Sequence, residues 1–147
     1  MAGFALSERI QAPPAEVFAF LTDVENASKV FPSVKKTEKL GNKAVDVGTR
    51  YLQVRQFAGS ENSAEYEVLD LDPPRSYIVS SAVEGIRATY GYQLEPVGGS
   101  TLIRLECELQ GEGLSRVLAW FVARAMQRDD ASVLVRFREA FEAESAS

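Results

Sequence analysis

The chain has 147 residues, 46% of them hydrophobic and 25% charged, with a formal net charge of −5. A chain of this length buries enough surface to fold as one domain without disulfides or a structural metal, so we expect a single domain over residues 1–147. The acidic balance argues against nucleic-acid binding through the phosphate backbone.

The residue types that most often carry catalysis are scarce in this sequence. It has no histidine and a single cysteine, Cys107. This excludes Ser–His and Cys–His pairs, imidazole metal ligands and an intramolecular disulfide. We therefore expect no metal and no cofactor, and we interpret Cys107 as an inert core residue because no histidine is present to activate its thiol.

The sequence carries no sign of a targeting or membrane segment. Its start, MAGFALSERI, lacks the basic stretch and long apolar core of a signal peptide. No apolar run approaches the ~20 residues of a membrane span. We expect a cytoplasmic protein without stable membrane insertion.

The first third of the chain predicts one strand followed by two short helices. Apolar residues alternate in the strand, although Glu8 falls on its apolar face. Pro14 suits the first turn of a helix, Asp23 can cap the next one, and Pro32 ends it. The predicted elements are the strand Phe4–Gln11 and the helices Ala15–Thr22 and Val24–Val30.

The pattern after Pro32 predicts six strands separated by short turns. Each break contains Gly, Pro, Asp or Asn, which favour tight turns. Short connections between consecutive strands indicate an antiparallel meander. The predicted strands are Val34–Leu40, Thr49–Phe57, Ser63–Leu71, Ser76–Val83, Arg87–Glu95 and Thr101–Gln110.

The end of the chain predicts an amphipathic helix, Gly113–Ala143. Its first half has an apolar stripe at helical spacing, and polar residues continue the same line. The first half should seal the core, whereas the second half faces either the polar part of a cavity or solvent. The stripe consists of Leu114, Leu118, Phe121, Val122, Ala125 and Met126, and its continuation of Asp129, Ser132 and Arg136.

Residue alternation predicts which side of each strand faces the core. One face of the last strand is entirely apolar and the other is charged, so the sheet is buried on one side. The strand Thr49–Phe57 leaves the choice open, since one face has Tyr51 with Gln53 and Arg55, and the other has Leu52 with Val54. That ambiguity is consistent with a bulge, a second packing surface or a dimer contact.

Three segments carry a resemblance to a known superfamily. They are Ile10–Phe18 (IQAPPAEVF), Leu71–Arg75 (LDPPR) and the hairpin Gly98–Thr101. With the order of elements, these segments resemble the START-like superfamily of polyketide cyclases and lipid-transfer proteins (SRPBCC), the helix-grip fold. The resemblance covers essentially the whole chain and implies an α+β fold. It implies a seven-stranded antiparallel sheet curved around a long C-terminal helix, with two short helices between strands 1 and 2. A cavity between sheet and helix would take apolar or aromatic small molecules.

The strand parities and the helix stripe together predict the lining of that cavity. Its tyrosines either bond to one another in a filled core or offer hydroxyl donors to a ligand. An inward arginine needs a partner, because burying its charge alone is costly. For Arg55 this is either a carboxylate, Asp129 or Glu8, or the anionic or carbonyl end of a ligand that Arg136 also meets. The candidate ligand-binding residues are Tyr51, Gln53, Arg55, Tyr77, Val79, Tyr90, Tyr92, Ile103, Leu105, Cys107, Phe121, Val122, Ala125, Met126, Asp129 and Arg136.

Three functions follow from these features. The one we favour is a carrier or sensor that binds a hydrophobic or aromatic small molecule, as a monomer or a homodimer. The second is a metal-free polyketide cyclase, aromatase or dehydratase, in which Tyr, Arg and a carboxylate move protons. The third is a co-chaperone-like or ribosome-associated interaction module that uses the patch Lys29–Lys43, which holds all five lysines.

Overall fold

The computed structural model describes residues 2–31, 34–41, 44–57, 59–83, 86–111 and 132–145. The predicted fold class is confirmed, with seven antiparallel strands, two short helical segments between the first two strands and a C-terminal helix. The strands are β1 Ala2–Ile10, β2 Val34–Leu40, β3 Arg50–Phe57, β4 Ser60–Asp72, β5 Ser76–Val83, β6 Ile86–Val97 and β7 Ser100–Gly111. The helices are α1 Pro14–Thr22, a 3₁₀ turn Val24–Asn26, α2 Ala27–Val30 and α3 Val133–Ser145.

The sheet is a meander to which the first strand is added at the far edge. Its order is β1-β7-β6-β5-β4-β3-β2, so β2 to β7 are neighbours in chain order and β1 pairs with β7. The register shifts between Val34 and Lys36 in β2, and between Val68 and Asp70 in β4. Such bulges bend a strand and increase its twist, which favours a curved sheet.

One face of the sheet is buried, as the alternation predicts. In β7, Ile103, Leu105, Cys107 and Leu109 are at most 2% exposed, whereas the residues between them are exposed. In β3, Tyr51 and Gln53 are buried and Arg55 is half-buried. The inner face of β3 is therefore the one with Tyr51, and Leu52 and Val54 lie half-buried on the outer face.

The short helices pack on the inner face and differ in detail from the prediction. Helix α1 begins at Pro14, one residue before the predicted Ala15, and buries Val17, Phe18 and Phe20. The predicted second helix is a 3₁₀ turn followed by four α-helical residues. The buried Asn26 side chain at this junction donates to the carbonyl oxygen of Phe20 at 3.1 Å and so ties the turn to α1.

The C-terminal helix is described from Val133, which follows a turn at Ser132. The predicted helical residues 113–131 lie outside the described residues. The buried side of α3 contacts α1 through Phe20, whose ring meets Phe137 at 5.1 Å and Phe141 at 5.6 Å between ring centroids. Leu134, Phe137 and Phe141 form the buried side of α3, and Arg136 lies to one side of them and is exposed. This position agrees with the solvent-facing alternative for Arg136.

An ion pair connects α3 to the first strand. Arg138 Nη1 donates to Glu8 Oε1 at 3.1 Å, with side chains 36% and 20% exposed. Glu8, one of the two carboxylates suggested as a partner of Arg55, is thus paired with Arg138. No helix in the described part of the chain is both long enough and apolar enough to cross a membrane.

Removing this ion pair is expected to loosen the C-terminal helix. Arg138→Met should lower the free energy of unfolding by about 1 kcal/mol, because Glu8 stays on the inner face without its donor. Urea denaturation measures the change, and a double-mutant cycle with Glu8→Gln isolates the pair. The matched control is Arg136→Met, an exposed arginine of the same helix, which should change stability little. Equal losses in the two variants would contradict this role for Arg138.

Candidate ligand-binding site

A cavity of about 50 Å³ lies between the inner face of the sheet and the helical segments. Strands β3 to β6 form one wall, and α1, the 3₁₀ turn, α2 and α3 form the other. Its lining consists of Phe20, Leu21, Asp23, Asn26, Ala27, Val30, Phe31, Tyr51, Gln53, Arg55, Tyr66, Tyr77, Val79, Tyr90, Tyr92 and Phe137. All five tyrosines of the chain are in this lining.

The tyrosine rings form a connected cluster across four adjacent strands. Tyr51 stacks on Tyr66 with ring centroids 5.3 Å apart, and Tyr77 stacks on Tyr92 at 6.0 Å. Tyr66 also meets Tyr90 at 6.2 Å. The pairs follow from sheet register, which sets Tyr51 opposite Tyr66 and Tyr77 opposite Tyr92. Alternation keeps all the rings on one face, so they make a continuous aromatic wall.

Two of these phenols are hydrogen-bonded to each other. Burial raises the pKa of the Tyr77 hydroxyl to about 12, although its hydrogen bond with Tyr51 acts in the opposite direction. Burial is also the largest cause that raises the pKa of Tyr51, and the same bond raises it further. Both phenols are neutral near pH 7 and can serve a ligand as hydrogen-bond groups.

The cavity has a polar end built from β2, β3 and α2. Gln53 is 3% exposed and lies directly across from Thr37 of β2. Its Nε2 is 3.5 Å from Thr37 Oγ1, and its Oε1 accepts a hydrogen bond of 2.9 Å from Arg55 Nε. The Arg55 guanidinium carbon lies 5.1 Å from the centroid of the Phe31 ring, a cation–π distance. Phe31 in turn meets Tyr90 edge-on at 6.2 Å, which joins the polar end to the aromatic wall.

The structure brings seven of the predicted site residues together in this lining, namely Tyr51, Gln53, Arg55, Tyr77, Val79, Tyr90 and Tyr92. Ile103, Leu105 and Cys107 are at most 1% exposed and lie outside the lining. Their strand, β7, lies between β1 and β6 and contacts α1, so they belong to the packed core. Outside the described residues lie the lining residues predicted on the C-terminal helix, which are Phe121, Val122, Ala125 and Met126. The possible partner of Arg55, Asp129, also lies outside them.

Several lining residues are missing from the sequence prediction. Tyr66 could have been found, because it alternates with Ala64 and Val68 in β4 and so shares their face. Phe31 has no such signal, since it is the residue after α2 and belongs to no periodic pattern. Its role depends on where the chain turns before β2.

The predicted basic patch is largely paired with carboxylates at the surface. The distances are 4.0 Å for Lys29–Glu144, 3.6 Å for Lys35–Glu61 and 3.9 Å for Lys36–Glu38. An acidic partner would have to compete with these contacts, although exposed pairs of this kind are weak. The interaction-module hypothesis stays a prediction.

The described lining offers neutral hydrogen-bond groups and two charged side chains of opposite sign. Phenol hydroxyls and the side-chain amides are neutral, Arg55 carries a positive charge and Asp23 a negative one. The Asp23 carboxylate accepts from the Glu25 backbone N–H at 3.3 Å. Within the described ranges, His, Cys, Asp and Glu side chains form no cluster that could hold a metal ion.

Comparisons with known proteins agree with this architecture. The model of the polyketide cyclase / dehydrase and lipid transport family matches residues 1–142. The structure of TTHA0849 from Thermus thermophilus is similar, with a TM-score of 0.78, 20% identity, and coverage of 97% of this chain and 99% of that chain. None of the curated proteins matches the chain in sequence.

Two further solved structures share the fold. The ZhuI aromatase/cyclase from Streptomyces sp. R1128 has a TM-score of 0.73 and 16% identity, over 95% of this chain and 93% of that chain. A START superfamily protein from Mycobacterium smegmatis has a TM-score of 0.65 and 11% identity, over 90% and 97%. At such low identities the likeness shows the fold alone.

Proposed function

The chain belongs to the polyketide cyclase / dehydrase and lipid transport family, and we propose that it binds an apolar or aromatic small molecule in the tyrosine-lined cavity, as a carrier or sensor. The observation that carries this proposal is the convergence of all five tyrosines on one cavity that also contains Arg55 and Gln53. An apolar wall with a few placed polar groups is typical of small-molecule sites.

The aromatic wall favours a ligand with a flat ring. Ring stacking and edge contacts favour planar ligands. A neutral phenol can also donate a hydrogen bond to a carbonyl or hydroxyl oxygen of the ligand. Arg55 adds an attraction for an anionic or carbonyl end. A ring system with one oxygen-bearing end therefore matches this lining better than a long saturated chain does.

The present cavity volume sets a condition on binding. About 50 Å³ holds one or two water molecules, whereas a dry cavity of ~150 Å³ is needed to hold benzene. Binding therefore requires the walls to separate. The helix α2 is the element best suited to move, because it has only four residues and places Val30, and Phe31 directly after it, on the cavity side.

Binding can be tested with a defined aromatic probe. We expect 2-naphthoate to bind saturably, and at about 100 times its Kd to stabilise the protein by about 2.7 kcal/mol. For a domain of this size, that corresponds to a rise in Tm of roughly 5–10 °C. Thermal unfolding at increasing probe concentration and isothermal titration calorimetry measure the two quantities. Native mass spectrometry of the purified protein should also show a co-purified apolar molecule. Absence of saturable binding by 2-naphthoate and of any co-purified molecule would contradict the proposal.

A second candidate function is that of a cyclase or aromatase. The observation that favours it is that the phenol hydroxyls of Tyr51 and Tyr77 line the same cavity as Arg55, since such donors can polarise a carbonyl. Cyclisation with dehydration would release a product lighter than the substrate by one water. Mass spectrometry of a poly-ketone substrate before and after incubation distinguishes turnover from binding alone.

A further inference from the structure

The orientation of the Gln53 amide is fixed by its two neighbours. Arg55 Nε–H can only donate, so the amide atom 2.9 Å from it must be the acceptor Oε1. The amide nitrogen then points at Thr37 Oγ1, which can accept. The two hydrogen bonds therefore point in one direction, with Arg55 donating to Gln53 and Gln53 donating to Thr37.

This arrangement restrains the arginine on two sides. An arginine side chain has several rotatable bonds and loses about 2 kcal/mol of conformational entropy when it is immobilised. Gln53 holds the Nε edge of the guanidinium, and the Phe31 ring supports its face. Part of the entropy cost of ordering the Arg55 side chain is therefore already met in the ligand-free protein. This increases the affinity of the site for a ligand that contacts Arg55.

We propose that Gln53 is a positioning residue that orients Arg55, and that the site consequently prefers aromatic carboxylates to neutral isosteres of the same shape. The inference rests on the proposed function and adds the class of ligand to it. The planar guanidinium matches the geometry of a carboxylate, and the aromatic wall can stack on the ring of the ligand. Burial makes the orientation matter, because Gln53 is 3% and Thr37 6% exposed, so water does not replace these contacts readily.

A matched pair of probes separates charge from shape. 2-Naphthoate and 2-naphthamide differ only in the carboxylate and the carboxamide, and their Kd values can be measured by calorimetry at pH 8. The wild-type protein should prefer the carboxylate by at least about tenfold, as expected for one charge-assisted contact.

Gln53→Met should reduce this preference for the carboxylate to below about threefold. The reason is that methionine keeps the length of the side chain but offers Arg55 no amide acceptor. Gln56→Met is the matched control, since Gln56 is an exposed residue of the same strand, and it should keep the wild-type preference. If Gln53 only supports the fold, Gln53→Met should raise the Kd values of both probes by the same factor and leave their ratio unchanged.

The restraint on Arg55 can also be measured directly, through the exchange of its Nε–H with water. In ¹⁵N spectra the Arg55 Nε–H signal, assigned with Arg55→Lys, should exchange slowly with water in the wild type and rapidly in Gln53→Met. If Gln53→Met does not fold, Thr37→Val removes the acceptor at the other end of the arrangement and should lower the preference for the carboxylate.

The outcomes distinguish the inference from the function on which it rests. No binding of either probe to the wild type would contradict the proposed function. Equal affinity of the wild type for both probes would overturn the ligand class. A wild-type preference that survives unchanged in Gln53→Met, or in Thr37→Val where that variant is used, would overturn the role of Gln53 alone.

Discussion

Replacing Val79 by phenylalanine is expected to weaken ligand binding about 30-fold while leaving the protein folded. Val79 is 3% exposed in the middle of β5, lines the cavity and lies opposite Tyr90. A phenylalanine ring at this position would occupy the space between the tyrosines that the ligand needs. A steric conflict of about 2 kcal/mol or more raises the Kd about 30-fold.

The variant should remain stable enough to test, because the cavity can receive part of the added ring. Overpacking elsewhere in a core costs about 1–3 kcal/mol, and we expect the lower end of that range here. Calorimetry with 2-naphthoate measures binding, and urea denaturation measures stability.

The matched control for this variant is Ile78→Phe. Ile78 is the neighbouring residue of the same strand, lies half-buried on the opposite face and is outside the cavity lining. It adds a ring to the sheet without reducing the cavity, so binding should be unchanged. Wild-type affinity in Val79→Phe, or an equal loss in both variants, would show that the ligand binds elsewhere.

The second large effect concerns stability at alkaline pH. The pKa of Tyr77 is raised from its usual 10.0 to about 12 in the folded protein, chiefly by burial. Below pH 10 the phenol is neutral in the folded and the unfolded chain, so it does not make stability depend on pH. Between pH 10 and 12 the unfolded chain ionises and the folded one does not, which favours unfolding. The loss for Tyr77 over this range is about 3 kcal/mol. Tyr51, whose pKa is also raised, adds a loss of the same sign.

Urea denaturation between pH 8 and 12 tests this dependence. Tyr77→Phe should lose less stability than the wild type between pH 10 and 12, by about 3 kcal/mol, because phenylalanine does not ionise. The ionisation of lysines affects both proteins equally and cancels in the comparison. The free energy of unfolding at pH 8 already includes the effect of the hydrogen bond lost in Tyr77→Phe. Each protein is therefore compared with its own value at pH 8. Identical alkaline slopes for the two proteins would contradict the burial of a neutral Tyr77.

The strands and their inner faces were predictable from the sequence because a half-buried strand repeats every two residues. Ile103, Leu105 and Cys107 follow that period without exception, and the structure buries all three. Breaks rich in Gly and Pro marked where each strand ends. The strand with Tyr51 remained ambiguous, since both of its faces carry apolar residues. Packing decided it, because the inner face of β3 meets Tyr66 and Thr37 across the neighbouring strands.

The sheet, the order of its elements and most of the aromatic wall follow from the sequence alone, because these features depend on local alternation and turn chemistry. The polar end of the cavity and the connection of the C-terminal helix depend instead on tertiary packing. Phe31 meets Arg55 although it belongs to no pattern, and Glu8 meets Arg138 across 130 residues of chain. Such contacts depend on strand register and on where helices dock. Local spacing carries no information about either.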